Sequence, residues 1–236
     1  MNFSILYEDN HIIVVYKEAG ILVQGDISGD IDLLSEIKEY IKKEYNKPGN
    51  VYLGLVHRLD RNTSGVMVFA KTSKAASRLS EQIKEHKFSK KYLCVCEGRF
   101  AGKATLKDYL YYDEKKKKSF VVDASKGKEA ILDYEVLDTI NLNNKAYTLV
   151  KVDLKTGRHH QIRCQLANLG YPIYGDVKYG AHDVVGNYYA LQSYELSFFH
   201  PTTKENLVFR FCQGKNIFKS FGSNVLDKYK LGNMKD

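Results

Sequence analysis

The sequence predicts an α+β domain: a long, mainly antiparallel sheet with a few helices and a basic cleft across it. Three observations predict it. Strand-like runs outnumber helix-like ones, and most joins between them are short and hairpin-like. The third is charge: 36 Lys+Arg against 28 Asp+Glu give a formal net charge of +8 over 236 residues. Such an excess favours a polyanionic partner, nucleic acid before anionic membrane.

A hydrophobic content of 44% and a charged content of 27% fit a soluble globular protein. No apolar run approaches the roughly 20 residues that span a bilayer. Residues 1–15 lack the basic region, apolar core and small-residue cleavage site of a secretory signal. A cytoplasmic monomer with no membrane partner is expected. The four cysteines, Cys94, Cys96, Cys164 and Cys212, are too few for a disulfide scaffold. They read as reduced, mostly buried thiols.

Residues 5–7 and 12–16 read as two strands joined by the turn Glu8-Asp9-Asn10-His11. Glu18-Ala19-Gly20 then turns into a short apolar run, Ile21-Leu22-Val23. Asp30 or Asp32 caps a helix running to Tyr45. Leu34, Ile37, Ile41 and Tyr45 recur at three and four residues, so one face covers a sheet.

Two strand-like runs, residues 51–55 and 66–70, bracket the polar stretch His57-Arg58-Leu59-Asp60-Arg61-Asn62-Thr63-Ser64-Gly65. Its Asn-Thr-Ser-Gly end is turn chemistry. If residues 56–60 are extended, Arg58 and Asp60 point to one side, and His57 and Leu59 to the other. Arg58 and Arg61 flank Asp60, and a nearby cation favours the charged form of a carboxylate. Asp60 should therefore be ionised at neutral pH, a nucleophile or electrostatic stabiliser rather than a general acid. The same residues also fit a surface turn with a weak ion pair.

Thr72 or Ser73 caps a second helix, with Ala76, Leu79 and Ile83 on one face, ending near His86. Residues 90–96 form the next strand, with Tyr92, Cys94 and Cys96 on one face. Antiparallel strands follow over residues 104–137. Leu110-Tyr111-Tyr112 and Phe120-Val121-Val122 flank a tip carrying Lys115, Lys116, Lys117 and Lys118. Four adjacent lysines repel one another and stay wet. They fit a solvated tip that blunts a sheet edge, or a finger that contacts RNA phosphates. A strand pair over residues 130–137 and 146–154 comes next.

The second polar block runs from Thr156 to Gly170. Ile162, Leu166 and Leu169 sit at helical spacing and Gly170 suits a C-cap. At helical spacing Arg163 shares a face with His159 and His160. The residue types fit a surface helix with a basic start. A metal site lacks a third ligand at a sensible spacing, and none is expected.

The stretch His57-Arg58-Leu59-Asp60-Arg61-Asn62-Thr63-Ser64-Gly65 resembles the catalytic signature of the pseudouridine synthases of the RluA/RluD type, which act on ribosomal and transfer RNA. Lys90-Lys91-Tyr92-Leu93 is similar to the second signature of that family. Gly157-Arg158-His159-His160-Gln161-Ile162-Arg163 is similar to the third, with His159 at its variable place. The likeness continues through residues 170–180 and 190–202 and covers about 5–212. The family's first strands end in Asn-Lys-Pro, from which Tyr16-Lys17-Glu18 departs. Where Gln192 stands, the family more often has His.

The resemblance implies a single catalytic domain over 1–215 with a basic tail over 216–236, frayed or loosely helical. It also implies that the small N-terminal RNA-binding domain of many relatives is missing. It implies Asp60, Tyr92 and Arg163 as catalytic residues, with Arg163 paired to Asp60. Arg58, Arg61, Lys91 and His160 are implied as substrate-binding residues. The implied reaction detaches uracil from ribose, turns it and rejoins it through carbon. The partner is RNA, no cofactor is expected, and the target base must be flipped out of its stack. Three roles stay open for Asp60: attack on the sugar, addition to the base, or abstraction of a sugar proton. Two other classes fit parts of the sequence. A non-catalytic RNA-binding or ribosome assembly factor would show the same charge. A sugar hydrolase would need a second carboxylate, which neither block supplies.

Overall fold

Residues 12–16 and 66–70 are apolar at successive positions, as in strands buried on both faces. Both become inner strands, β2 (Ile12–Lys17) and β4 (Ser64–Ala70). The computed structural model describes residues 2–27, 29–186, 188–229 and 234–235. The chain divides into two units. One holds Met1–Phe88, Glu195–Phe211 and Gly232–Asp236, the other Ser89–Tyr194 and Cys212–Leu231.

In the first unit β1 (Phe3–Glu8) pairs antiparallel with β2, and β2 with β4, setting Ile12 opposite Ala70 and Lys17 opposite Gly65. A two-residue strand, β3 (Gly54–Leu55), pairs with the end of β4. Helix α1 (Leu33–Glu44) buries Leu33, Ile37 and Ile41. Helix α2 (Ser73–Lys84) is capped by the Thr72 hydroxyl, which accepts from the Ala75 N–H. Ala75 and Leu79 of α2 pack with Val14, Tyr16, Val66, Val68, Phe198 and Phe209 in one apolar core. The antiparallel pair β10 (Leu191–Phe199) and β11 (Asn206–Arg210) supplies the last two rings.

The second unit holds β5 (Ser89–Glu97), β6 (Lys103–Asp113), β7 (Lys118–Val122), β8 (Lys128–Leu142) and β9 (Lys145–Leu154). They lie in the order β5-β9-β8-β6-β7, each antiparallel to its neighbour. The turn joining β8 to β9 places Asn143 and Asn144 at φ 49 and 61, a left-handed pair that suits a tight hairpin. Helix α3 (Gln161–Asn168) packs on β6 and β7, with Cys164 in a core with Leu110, Ala130 and Tyr179.

The α+β class and the antiparallel bias stand as expected. Not every local expectation does. Residues 51–55 form only the short β3, because residues 51–53 carry no sheet pairing. The short apolar run Ile21-Leu22-Val23 adds only a bridge from Leu22 to Asp32. Helix α3 is buried from Gln161 to Leu166 rather than lying on the surface. Strand β11 falls in a stretch to which the sequence pattern had assigned no element. Residues 216–229, within the expected tail, form short helical turns, and Ile217, Phe218, Phe221 and Leu226 are buried there. All four cysteines are free and buried, as expected.

Of the two candidate caps for α1, Asp32 is the one used. Its carboxylate accepts from the Ser35 N–H at 3.1 Å and the Ser35 hydroxyl at 2.8 Å. Asp32→Ala should cost about 1 kcal/mol of unfolding free energy in a urea titration. A stability equal to wild type would mean that the cap bears no load.

Candidate active site

Asp60 stands at the start of a tight turn, in which the Thr63 N–H donates to the Asp60 carbonyl at 3.1 Å. Residues 56–60 are not a strand, yet their side chains alternate as an extended chain would. His57 and Leu59 are buried, Arg58 is exposed and Asp60 is half-buried. His57 belongs to the scaffold. Its Nε2 accepts from the Val68 N–H at 3.1 Å, and its ring meets Phe88 edge-on. The inward side of the turn is thus bolted to β4, and the outward side carries Arg58 and Asp60.

The flanking arginines differ. Arg61 donates through Nε to the Gly20 carbonyl at 3.0 Å and pairs with Asp30 at 2.8 Å. Its partners therefore tie the turn to residues 20–30, a role that reading it only as a guard of Asp60 misses. A further cation lies beneath the turn. Lys17, the last residue of β2, has no exposed surface. Its Nζ donates to the carbonyls of Arg61 at 2.9 Å, Ile21 at 2.8 Å and Glu18 at 3.0 Å. The Arg61 carbonyl also accepts from the Gly20 N–H at 2.9 Å. Opposite Lys17 in the ladder, Gly65 has φ 139, a conformation that favours glycine. Burial pushes the Lys17 ammonium down to about 7, and the charge of Asp60 is the strongest influence pulling it back up.

Tyr92, Lys91, His160 and Arg163 belong to the second unit, and Asp60, Arg58 and Arg61 to the first. Tyr92 is buried on β5 opposite Val152 of β9, and Lys91 stands opposite Asp153. Burial lowers the pKa of Lys90 beside them. His160 is the N-cap of α3, with φ 53 and ψ 26. That left-handed residue reverses the chain, so His159 and His160 lie ahead of the helix. The helical face expected to join them to Arg163 does not form. The His160 Nδ1 meets the Tyr179 hydroxyl at 3.0 Å, while that hydroxyl accepts from the Ser119 N–H at 2.8 Å. The Ser119 hydroxyl donates to the His159 carbonyl at 2.5 Å. Since Ser119 follows Lys118 on β7, the lysine hairpin is clasped to the start of α3. Lys118 itself folds back over the Tyr179 ring at 4.8 Å, leaving Lys115, Lys116 and Lys117 exposed at the tip.

Arg163 is buried and makes a two-bonded pair with Asp176, Nε to Oδ2 at 2.6 Å and Nη2 to Oδ1 at 2.8 Å. The rings of Tyr189 and Tyr179 lie 4.4 and 4.9 Å from the centre of its guanidinium. Two bonds, two rings and full burial hold this guanidinium in one orientation. Reading the sequence named Arg163 but not its holders Asp176, Tyr179 and Tyr189, and it passed over Lys17. The signal for Asp176 was a lone acidic residue within the aromatic run Tyr171-Pro172-Ile173-Tyr174-Gly175-Asp176. A lysine closing an apolar strand reads as solvated, so Lys17 gave little warning.

Removing Arg163 strands the Asp176 carboxylate, which is only 2% exposed. Arg163→Ala should lower stability by about 3–5 kcal/mol in urea unfolding. Arg163→Lys should fall between, because an ammonium cannot reproduce the forked pair. A loss below about 1 kcal/mol for Arg163→Ala, the size of an exposed pair, would contradict the buried pair.

The comparisons with known proteins agree with one another. A family model described as RNA pseudouridylate synthase matches residues 11–168, which include the Asp60 turn, β5 and all of α3. The chain is 35% identical over 217 residues to ribosomal large subunit pseudouridine synthase C of Buchnera aphidicola subsp. Baizongia pistaciae, covering 88% of this chain and 66% of that protein. It is 36% identical over 186 residues to ribosomal large subunit pseudouridine synthase D of Borreliella burgdorferi, covering 76% of this chain and 55% of that protein. It thus spans less than two thirds of the length of these curated relatives. The solved structure of human RNA pseudouridylate synthase domain containing 1 shares the fold, with a TM-score of 0.73 at 20% identity over 100% of this chain and 91% of that one. With a family model over most of its length, the chain belongs to the RNA pseudouridylate synthase family.

Proposed function

We propose that this protein is an RNA pseudouridine synthase that isomerises uridines in structured RNA, with Asp60 as its reacting group. The observation that carries the reading is the Asp60 turn. A carboxylate of the signature block stands half-buried at a turn whose inner face is bolted by His57 and whose peptide is tied down by Lys17. A group held in that way loses little entropy when it meets a substrate.

The isomerisation breaks the glycosidic bond, turns the uracil and forms a bond from carbon. It needs a carboxylate that stays ionised beside the sugar. In this reading Arg163 supplies Asp60 with a cation. Tyr92 packs against the flipped base, and Arg58, exposed beside Asp60, holds the opened RNA. Arg61, Lys91 and His160 bind substrate around it. The names of the two curated relatives favour RNA of the large ribosomal subunit over transfer RNA.

Release of tritium from uracil labelled at carbon 5 in bulk cellular RNA tests the reading. Wild-type protein should release label, and Asp60→Asn should drop the rate by on the order of 10³-fold or more while RNA affinity and thermal stability hold. Near wild-type release by the variant would remove Asp60 from the chemistry. No release by the wild type would leave a non-catalytic RNA-binding factor on the same fold.

The exposed hairpin tip is the proposed phosphate-contacting finger. Changing Lys115, Lys116 and Lys117 to Gln should weaken RNA binding similarly for any RNA sequence. The slope of log affinity against log salt should shrink by about 2–3, in line with 0.7–0.9 per lost phosphate contact. An unchanged slope would mark the tip as a solvated edge only.

A further inference from the structure

Among the described residues Lys17 is the fully buried lysine, and its bonds lead to the turn that carries Asp60. An ammonium without water must find oxygen, and three carbonyls converge on this one. They come from Glu18 and Ile21, just past β2, and from Arg61, forty-four residues away in sequence. The Arg61 carbonyl belongs to the residue directly after Asp60. A bond to it holds the turn one residue beyond Asp60. The charges acting on Lys17 are those of Asp60, Glu18 and Arg61, with Asp60 the strongest. The first two favour the ammonium; the third opposes it.

We propose that Lys17 is a positioning residue for Asp60: its enclosed ammonium fixes the Arg61–Asn62 peptide, one residue beyond Asp60 in the same turn, and serves the Asp60 carboxylate as a counter-charge. The inference rests on the reading of Asp60 as the reacting group. Electrostatic coupling is mutual, so a carboxylate that raises the lysine's proton affinity has its own lowered to the same extent. Burial pulls the lysine towards neutrality near pH 7. Its charge, and with it the help given to Asp60, is therefore strongest on the acid side, where Asp60 is nearest to protonation. A lysine that merely filled space would show no such coupling.

Two measurements test the proposal. The first titrates Lys17 by NMR in protein carrying ¹³C at the lysine ε-carbons, assigned by its loss in Lys17→Met. In Asp60→Asn the Lys17 midpoint should fall by about half a pH unit or more, as removal of a nearby anion requires. The second follows single-turnover rate against pH in Lys17→Met and Lys17→Arg. In Lys17→Met the acid limb should move up by a similar amount, since Asp60 has lost a cation. The plateau rate should fall about tenfold with RNA affinity within twofold. Lys17→Arg should keep the limb near its wild-type place because its charge is retained. A Lys17 midpoint identical in wild type and Asp60→Asn overturns the proposal, even if Lys17→Met does not fold. So does an unmoved acid limb in a folded Lys17→Met. In both cases an inactive Asp60→Asn would leave Asp60 itself in place, whereas an active Asp60→Asn would remove the reading and the proposal together.

Discussion

A buried charge has to be answered, and this chain buries two of its cations beside its two signature blocks. Lys17 is answered by three backbone carbonyls, and Arg163 by both oxygens of Asp176. Neither arrangement is an efficient way to gain stability, because desolvating an ion costs about as much as pairing it returns. What each provides is direction. A carbonyl cage and a forked ion pair work only in one geometry, so the backbone that supplies them is held in that geometry. The turn carrying Asp60 and the helix carrying Arg163 are both fixed in this way.

The strands around these charges explain why the cages hold. β2 and β4 are buried along their length, and Lys17 continues β2 by one residue beyond its apolar run. Its stem therefore starts inside the packing, and its ammonium emerges under the Asp60 turn rather than in water. Gly65 opposite leaves the ladder without a side chain at that level. In the second unit, Tyr179 links three features at once. It flanks Arg163, bonds Ser119 at the root of the lysine hairpin and contacts His160 at the start of α3. Burial raises the pKa of its hydroxyl to about 12, so it remains a neutral donor and acceptor throughout the physiological range.

Much of this was legible in the sequence, and the exceptions share a cause. Period and turn chemistry located the hairpins, both long helices and the inner strands, because these depend on neighbours a few residues apart. The alternation of His57, Arg58, Leu59 and Asp60 followed from the extended geometry of the backbone alone. Residues 51–53 were misread because an apolar run forms a strand only when a partner edge is present. β11 was missed because it gains its order from β10 rather than from its own pattern. The surface position expected of α3 failed for a related reason: Gln161, Arg163 and Gln165 are polar, yet all three are buried and bond to groups outside the helix, at Ile131, Asp176 and Asp108. Arg61 and the two histidines were read from adjacency, which could not show the ties of Arg61 to Gly20 and Asp30 or of His160 to Tyr179. Lys17 and Asp176 stand 43 and 13 residues from the groups they serve, and no local spacing announces such a link.

The most direct test of the account is the pattern of pseudouridine in cellular RNA. Pseudouridine would be mapped across ribosomal and transfer RNA from a strain lacking this protein, then from the same strain carrying either the wild-type chain or Asp60→Asn. The account predicts that one or a few positions lose the modification on deletion, regain it with the wild type and stay unmodified with the variant. Identical maps in all strains, or full restoration by Asp60→Asn, would contradict it.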